Sequence, residues 1–69
     1  MNIDTEKFTI IISEHGEPDI IAKRISERGA TKTAKQMLEY PCHSYVEVRN
    51  PNGDTIFGEK GLAYDPAKL

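Results

Sequence analysis

Residues 44–59 decide the fold, and they read Ser-Tyr-Val-Glu-Val-Arg-Asn-Pro-Asn-Gly-Asp-Thr-Ile-Phe-Gly-Glu. Val46 and Val48 alternate with polar or aromatic neighbours, which is the two-residue period of a half-buried strand. The Asn-Pro-Asn-Gly connection has proline where φ is about −65° and Gly53 where φ is positive, as in a type I turn followed by a glycine bulge. We therefore predict a β-hairpin whose second strand adds Ile56 to the core.

A helix is predicted just before this hairpin, over residues 31–40. Thr31 can be its N-cap, because a threonine hydroxyl accepts a hydrogen bond from a free backbone amide of the first turn. Pro41 ends the helix, because the residue before a proline is disfavoured in the α conformation. The apolar residues that recur at helical spacing are predicted to face the sheet: Ala30, Ala34, Met37 and Leu38.

The N-terminal half begins with a strand over residues 7–14, in which Phe8, Ile10 and Ile12 fall on one face. A His-Gly pair follows as a turn signal. Residues 18–28 are compatible with two structures. As a helix, they begin at a proline and stop at the next glycine. As a strand, they return against the first strand and leave a lysine on an apolar face. We favour the strand, because it leads simply into the following helix.

These elements predict an α+β fold with the order ββαββ, in which one helix packs on one face of a small antiparallel sheet. The chain of 69 residues is long enough for one domain, residues 1–69. Its ends, 1–6 and 65–69, are predicted to be flexible, and the hairpin strands are placed at 44–49 and 54–59. A sheet of this kind has one face open to solvent.

Composition limits the classes of function. A formal net charge of −2 is too small for an acidic mimic of nucleic acid, and it is not the basic excess of a dedicated DNA-binding protein. Cys42 is the only cysteine, which is typical of a reducing compartment. The polar N-terminus does not resemble a signal peptide, and the longest apolar run, 10–12, is far too short for a membrane helix. We therefore expect a cytoplasmic protein with no membrane partner.

Catalytic and metal-binding motifs are not evident. A zinc site needs three or four converging ligands, whereas this chain offers His15 and the adjacent pair Cys42 and His43. Side chains of neighbouring residues diverge in an extended segment, so we expect Cys42 and His43 neither to bind a metal nor to form a catalytic pair. We also expect no cofactor, no catalytic residue and no enzymatic activity. The acidic residues around the first turn are interpreted as solvated charges rather than an acid–base pair: Glu14, Glu17 and Asp19.

A basic segment spans residues 23–35 and holds five of the nine cationic residues. Such a segment can bind phosphate groups or an acidic protein surface. Alternatively, it is a solvated helix face beside an edge strand that its charges protect from aggregation. Its members are the first candidate binding residues: Lys23, Arg24, Arg28, Lys32 and Lys35.

A second candidate surface lies on the hairpin face opposite its valines. Tyr45, Arg49 and Phe57 are assigned to this face. Tyrosine and arginine dominate binding hot spots, and exposed aromatic side chains mark interaction surfaces. In the alternative, the C-terminal segment covers these side chains and they belong to the core.

The assembled order covers residues 8–60: a strand, a Thr-x-x-Ala helix with Ala34 and Met37, and a hairpin that turns on Asn52-Gly53. It resembles very small proteins of phages and mobile elements, and among them the compact sheet-plus-helix anti-CRISPR inhibitors of type I systems. The resemblance implies a protein that occludes a surface of a large ribonucleoprotein and has no catalytic role. The matching residues are structural, so no binding residue is carried over.

The function predicted from these observations is a non-enzymatic binding protein that inhibits a larger protein or ribonucleoprotein complex. The alternative is a small nucleic-acid-binding module that uses residues 23–35. In either case the chain is expected to act as a monomer or as a homodimer joined through an edge strand.

Overall fold

The computed structural model describes residues 5–14 and 16–61. All strand pairs in this part of the chain are antiparallel, and the strands lie in the spatial order β2-β1-β3-β4. The predicted α+β class and ββαββ order are confirmed. The described elements are β1 (Phe8–Glu14), β2 (Glu17–Arg24), α1 (Glu27–Met37), β3 (His43–Arg49) and β4 (Thr55–Lys60).

The segment that the sequence left open between strand and helix is a strand. β2 pairs with β1 from its first residue, because Glu14 and Glu17 lie opposite each other across a two-residue turn. Gly16 in that turn has a φ of 83°, a conformation that glycine adopts without the steric cost that a Cβ imposes. β2 forms one edge of the sheet and β4 forms the other.

Helix α1 begins earlier than predicted. Ser26 is its N-cap, in an extended conformation, and the Ser26 hydroxyl accepts a hydrogen bond from the Gly29 amide at 3.2 Å. Glu27 adds a negative charge to the first turn, where the helix dipole favours it. The prediction of Thr31 as N-cap is therefore wrong, since Thr31 lies inside the helix. The last helical residue is Met37, three residues before the predicted end.

The core lies between α1 and the sheet face that the helix covers, and α1 packs mainly on β1 and β3. Among the residues predicted to form the core, Met37 and Phe8 are only partly buried, and both pack against the core cluster. The buried members of the core are Ile10, Ile12, Ala30, Ala34, Leu38, Val46 and Val48.

The described part of the chain contains no helix long and apolar enough to cross a membrane.

Strand β4 presents the opposite side chains to those predicted. Val48 pairs with Phe57 and Arg49 with Thr55, so Ile56 is an extra residue in a bulge. One extra residue inverts which side chains face the core, because side-chain direction alternates along a strand. Phe57 therefore packs against the core, whereas Ile56 is 37% exposed. The assignments of Ile56 to the core and Phe57 to the opposite face are wrong.

The sheet face away from the helix is not solvated at its centre. Ile10 packs towards α1, so its neighbours Thr9 and Ile11 point to the other face of the sheet. Nevertheless Ile11 is 1% exposed and Thr9 is fully buried. The Thr9 hydroxyl is buried with no hydrogen-bond partner among the described residues. The expectation of an open second face is thus wrong for β1. The alternative, cover by the C-terminal segment, concerns residues 62–69 and lies outside the described part of the chain.

The β3–β4 turn has the predicted positive φ at Gly53, which is 89°. The Gly53 amide donates to the Asn50 carbonyl at 2.9 Å. The Asn50 side-chain oxygen accepts from the amides of Asn52 and Asp54 at 3.0 and 2.9 Å. The turn is therefore held by an asparagine side chain as well as by the backbone.

Replacing Gly53 with valine is expected to lower the free energy of unfolding by about 1–2 kcal/mol. A Cβ at this position meets no atom within 4 Å, so the loss comes from the backbone conformation alone. Gly53→Asn is the matched control, because asparagine tolerates a positive φ better than a β-branched residue. Urea unfolding of the three proteins measures the effect, and equal stability of the valine variant would contradict it.

Candidate functional site

The basic residues of the predicted segment lie on different faces of the fold. Arg28, Lys32 and Lys35 are exposed and recur one helical turn apart on the solvent side of α1. Lys23 is in register with a β1 residue of the face away from the helix. The Arg24 guanidinium donates to the Lys23 carbonyl at 2.8 Å. The structure therefore brings together three of the five candidates, and not the whole segment.

The second candidate surface is divided as well. Tyr45 and Arg49 lie on the face away from the helix, whereas Phe57 lies on the helix side. The Tyr45 ring passes over Gly58, where a Cβ would overlap the Tyr45 hydroxyl. The Arg49 side chain lies 3.4 Å from the Glu47 carboxylate and donates to a turn carbonyl at 3.0 Å. Both side chains thus have partners within the hairpin.

A groove between α1 and β2 is a concave feature that the sequence did not reveal. It exists because the helix lies mainly over β1 and β3 and leaves the inward side of the edge strand β2 partly uncovered. Concave apolar surfaces with a few polar groups are where ligands and partners bind. The groove is lined by Ile12, Glu14, Ile21, Ala22, Arg24, Thr33, Met37, Tyr40 and His43.

Two large apolar side chains in the groove are accessible to solvent. Ile21 on β2 is 38% exposed, and Tyr40, which follows α1, is 52% exposed. Met37 also lines the groove and is partly buried. Exposed apolar and aromatic side chains at a concave site are typical of interface anchors. Neither Ile21 nor Tyr40 was among the residues predicted from the sequence.

A polar cluster of Glu14, Cys42 and His43 lies where the groove meets the turn after the helix. One potential ligand atom from each residue lies within 4.8 Å of the other two. The His43 Nε2 atom is 3.4 Å from the Glu14 carboxylate, and the Cys42 thiol lies 3.9 Å from the same oxygen. His43 is 6% exposed, and its Nδ1 is 2.8 Å from the Met37 carbonyl.

The cluster forms because of two local irregularities. The His43 amide donates to the Tyr40 carbonyl at 3.1 Å, which closes a turn with Pro41 at the position that suits proline. Next along the chain, Ser44 is the extra residue of a bulge, so that His43 pairs with Glu14. A bulge changes the direction of the side chains beyond it. The expectation that the side chains of Cys42 and His43 diverge is therefore wrong.

The hydrogen-bond partner of the Cys42 thiol is a carboxylate rather than an imidazole. The Cys42 thiol donates to the Glu14 carboxylate, whereas a nucleophilic thiol needs a positioned base such as an imidazole as its partner. His43 in turn lies against the same carboxylate and the Met37 carbonyl. The three side chains thus bring a carboxylate, a thiol and an imidazole close to one another.

Comparisons with family models, with curated proteins and with solved structures found no significant match to this chain. None of them links it to the anti-CRISPR inhibitors that its element order resembles.

Proposed function

We propose that the chain is a non-enzymatic binding protein that modulates a larger protein or ribonucleoprotein complex by occupying part of its surface. Its contact surface is the groove between α1 and β2, and the matching part of the partner is a protein segment that inserts apolar side chains. This proposal moves the site away from the basic segment and from the hairpin face.

The observation that carries the proposal is the exposure of Ile21 and Tyr40 in a groove that is also lined by apolar side chains of the core. These side chains are Ile12, which belongs to the core, and Ala22, which packs against it. Side chains inserted between Ile21 and Tyr40 would therefore continue the core outwards and remove apolar surface from water. Arg24 lies at the groove as a cation and can pair with an acidic group at the rim of the partner.

The double variant Ile21→Ala, Tyr40→Ala is expected to weaken partner binding by about thirtyfold or more, because the loss of a single hot-spot side chain costs about 2 kcal/mol or more. The partner complex is captured with the parent protein from the source cells, purified, and titrated with each variant. Ile25→Ala is the matched control, since Ile25 is 85% exposed and lies outside the groove lining. Unchanged affinity of the double variant, with its fold intact, would overturn the groove as the contact surface.

The nucleic-acid alternative is tested in the same titration. Lys32→Glu with Lys35→Glu reverses two charges on the solvent face of α1. Binding through the groove is expected to survive this change. Binding to phosphate groups would weaken strongly and would also fall steeply with salt concentration. Loss of affinity in the charge-reversed variant alone would assign the function to the helix face.

A further inference from the structure

We propose that Glu14, Cys42 and His43 form a binding site for a single divalent ion of the zinc class. The three residues supply a carboxylate oxygen, a thiolate sulfur and an imidazole nitrogen, which are the donor types that zinc takes in proteins. This inference goes beyond the proposed binding function and does not depend on it. It also reverses the expectation, drawn from the sequence, that the chain holds no metal.

The spacing of the donor atoms is close to that of a tetrahedral site. Zinc lies about 2.0 Å from nitrogen or oxygen and about 2.3 Å from sulfur, so tetrahedral angles place two ligand atoms about 3.3–3.5 Å apart. In this protein the His43 nitrogen and the Glu14 oxygen are 3.4 Å apart, and the Cys42 sulfur lies 3.9 Å from that oxygen. The Cys42 sulfur and the His43 nitrogen lie within 4.8 Å of each other, so the three donor atoms must draw together to reach coordination distance.

The His43 ring is already oriented as a metal ligand. A carbonyl oxygen can only accept a hydrogen bond, so the 2.8 Å contact with the Met37 carbonyl places a proton on Nδ1. In the neutral ring this leaves the Nε2 lone pair directed towards Glu14 and Cys42. Metal-binding histidines very commonly donate their second nitrogen to a backbone carbonyl in this way. The ring is also largely buried, which restricts its rotation.

The backbone beneath the site is held by hydrogen bonds. The turn closed by the His43 amide and the Tyr40 carbonyl positions Cys42. In the adjacent bulge, the Ser44 hydroxyl donates to the Ser13 carbonyl at 2.9 Å and fixes β3 beside the end of β1. The ligands therefore come from two segments that the sheet already joins. Binding would require little reordering of the chain, which favours affinity.

The donor set selects among metals and leaves one position open. A thiolate with an imidazole favours zinc or cobalt over magnesium or calcium, which prefer oxygen ligands throughout. Three protein ligands fill three of the four tetrahedral positions. The Glu14 side chain is 49% exposed, so the site is reachable from solvent and the fourth position can take a water molecule.

Titration of the untagged, metal-free chain with Co²⁺ and then Zn²⁺ tests the site. One Co²⁺ per chain is expected, with the near-ultraviolet charge-transfer absorption of a cobalt–thiolate bond and its loss when Zn²⁺ displaces the cobalt. Cys42→Ser should abolish that absorption. Cys42→Ser and Glu14→Gln should each weaken Zn²⁺ binding about tenfold or more, since even residues that only orient a ligand affect affinity about 10–100-fold. Magnesium should not compete.

Glu17→Gln is the matched control, because Glu17 lies opposite Glu14 across the turn but outside the cluster. It should bind Zn²⁺ like the parent. Circular dichroism establishes that each variant is folded, and the tests use Glu14 and Cys42 because buried His43 is the ligand whose loss endangers the fold. The proposal is overturned if the parent binds no stoichiometric Co²⁺ or Zn²⁺. It is also overturned if Cys42→Ser binds as tightly as the parent, or if one ion binds per two chains.

Discussion

Replacing Leu38 with alanine is expected to lower the free energy of unfolding by about 2–5 kcal/mol. Leu38 is 2% exposed and belongs to the core beneath the end of α1, where its amide still donates to the Ala34 carbonyl at 3.1 Å. The shortened side chain would leave a cavity between the helix and the sheet. A domain has only about 5–15 kcal/mol of stability in total, so this single change removes a large share of it.

Ile25→Ala is the control for Leu38→Ala. It removes a similar apolar side chain from a site that is 85% exposed and should change stability by no more than about 0.5 kcal/mol. Urea unfolding followed by circular dichroism compares the two variants with the parent. If Leu38→Ala unfolded at the parent's urea concentration, the orientation of α1 on the sheet would be wrong.

The sequence predicted the elements that short-range chemistry determines. Val46 and Val48 face the core because the two-residue period is unbroken from Tyr45 to Val48, between the bulge at Ser44 and the last pair of β3. Gly53 has a positive φ because the Asn-Pro-Asn-Gly turn requires it. In both cases the residues that set the structure lie within a few positions of the residue they affect, so one sequence is enough to identify them.

The predictions failed where a bulge inserts an extra residue. Ile56 and Phe57 lie on the faces opposite to those predicted because a bulge lies inside β4. The alternation of residues in β4 does not indicate which of the two side chains faces the core. The bulge at Ser44 had a similar effect on His43, which would otherwise point away from Glu14. A bulge depends on how two distant strands fit together, so local patterns do not determine its position.

The start of α1 shows a competition that local signals cannot decide. Ser26 and Thr31 both offer a hydroxyl before an apolar helical pattern, and each is followed by suitable residues. Ser26 is the N-cap in the structure, and Gly29, which resembles a stop signal, lies in the first turn. A Cβ at Gly29 would lie 3.2 Å from the Ser26 hydroxyl, so glycine leaves room for the capping bond.

The candidate site could not be read from the sequence because it depends on where the helix lies across the sheet. The groove exists because α1 covers β1 and β3 more fully than β2. In the polar cluster, 28 positions of sequence separate Glu14 from Cys42. In the basic segment the reverse holds, because residues that are close in sequence are separated in the fold. Lys23 and Arg28, for example, lie on different faces of the protein.

Ile11→Ala is expected to destabilise the protein about as much as Ile10→Ala, by about 2–5 kcal/mol each. These neighbours point to opposite faces of β1, and only Ile10 belongs to the cluster packed against α1. Nevertheless Ile11 is 1% exposed and Ile10 is fully buried. The second face of the sheet should therefore contribute to stability like a core, and urea unfolding of the two variants measures its contribution directly.

The pair is its own control, because both changes remove the same atoms from adjacent positions of one strand. If Ile10→Ala were costly and Ile11→Ala stayed within about 0.5 kcal/mol of the parent, the second face would be solvated in solution. That face would then offer Tyr45 and Arg49 as a contact surface competing with the groove.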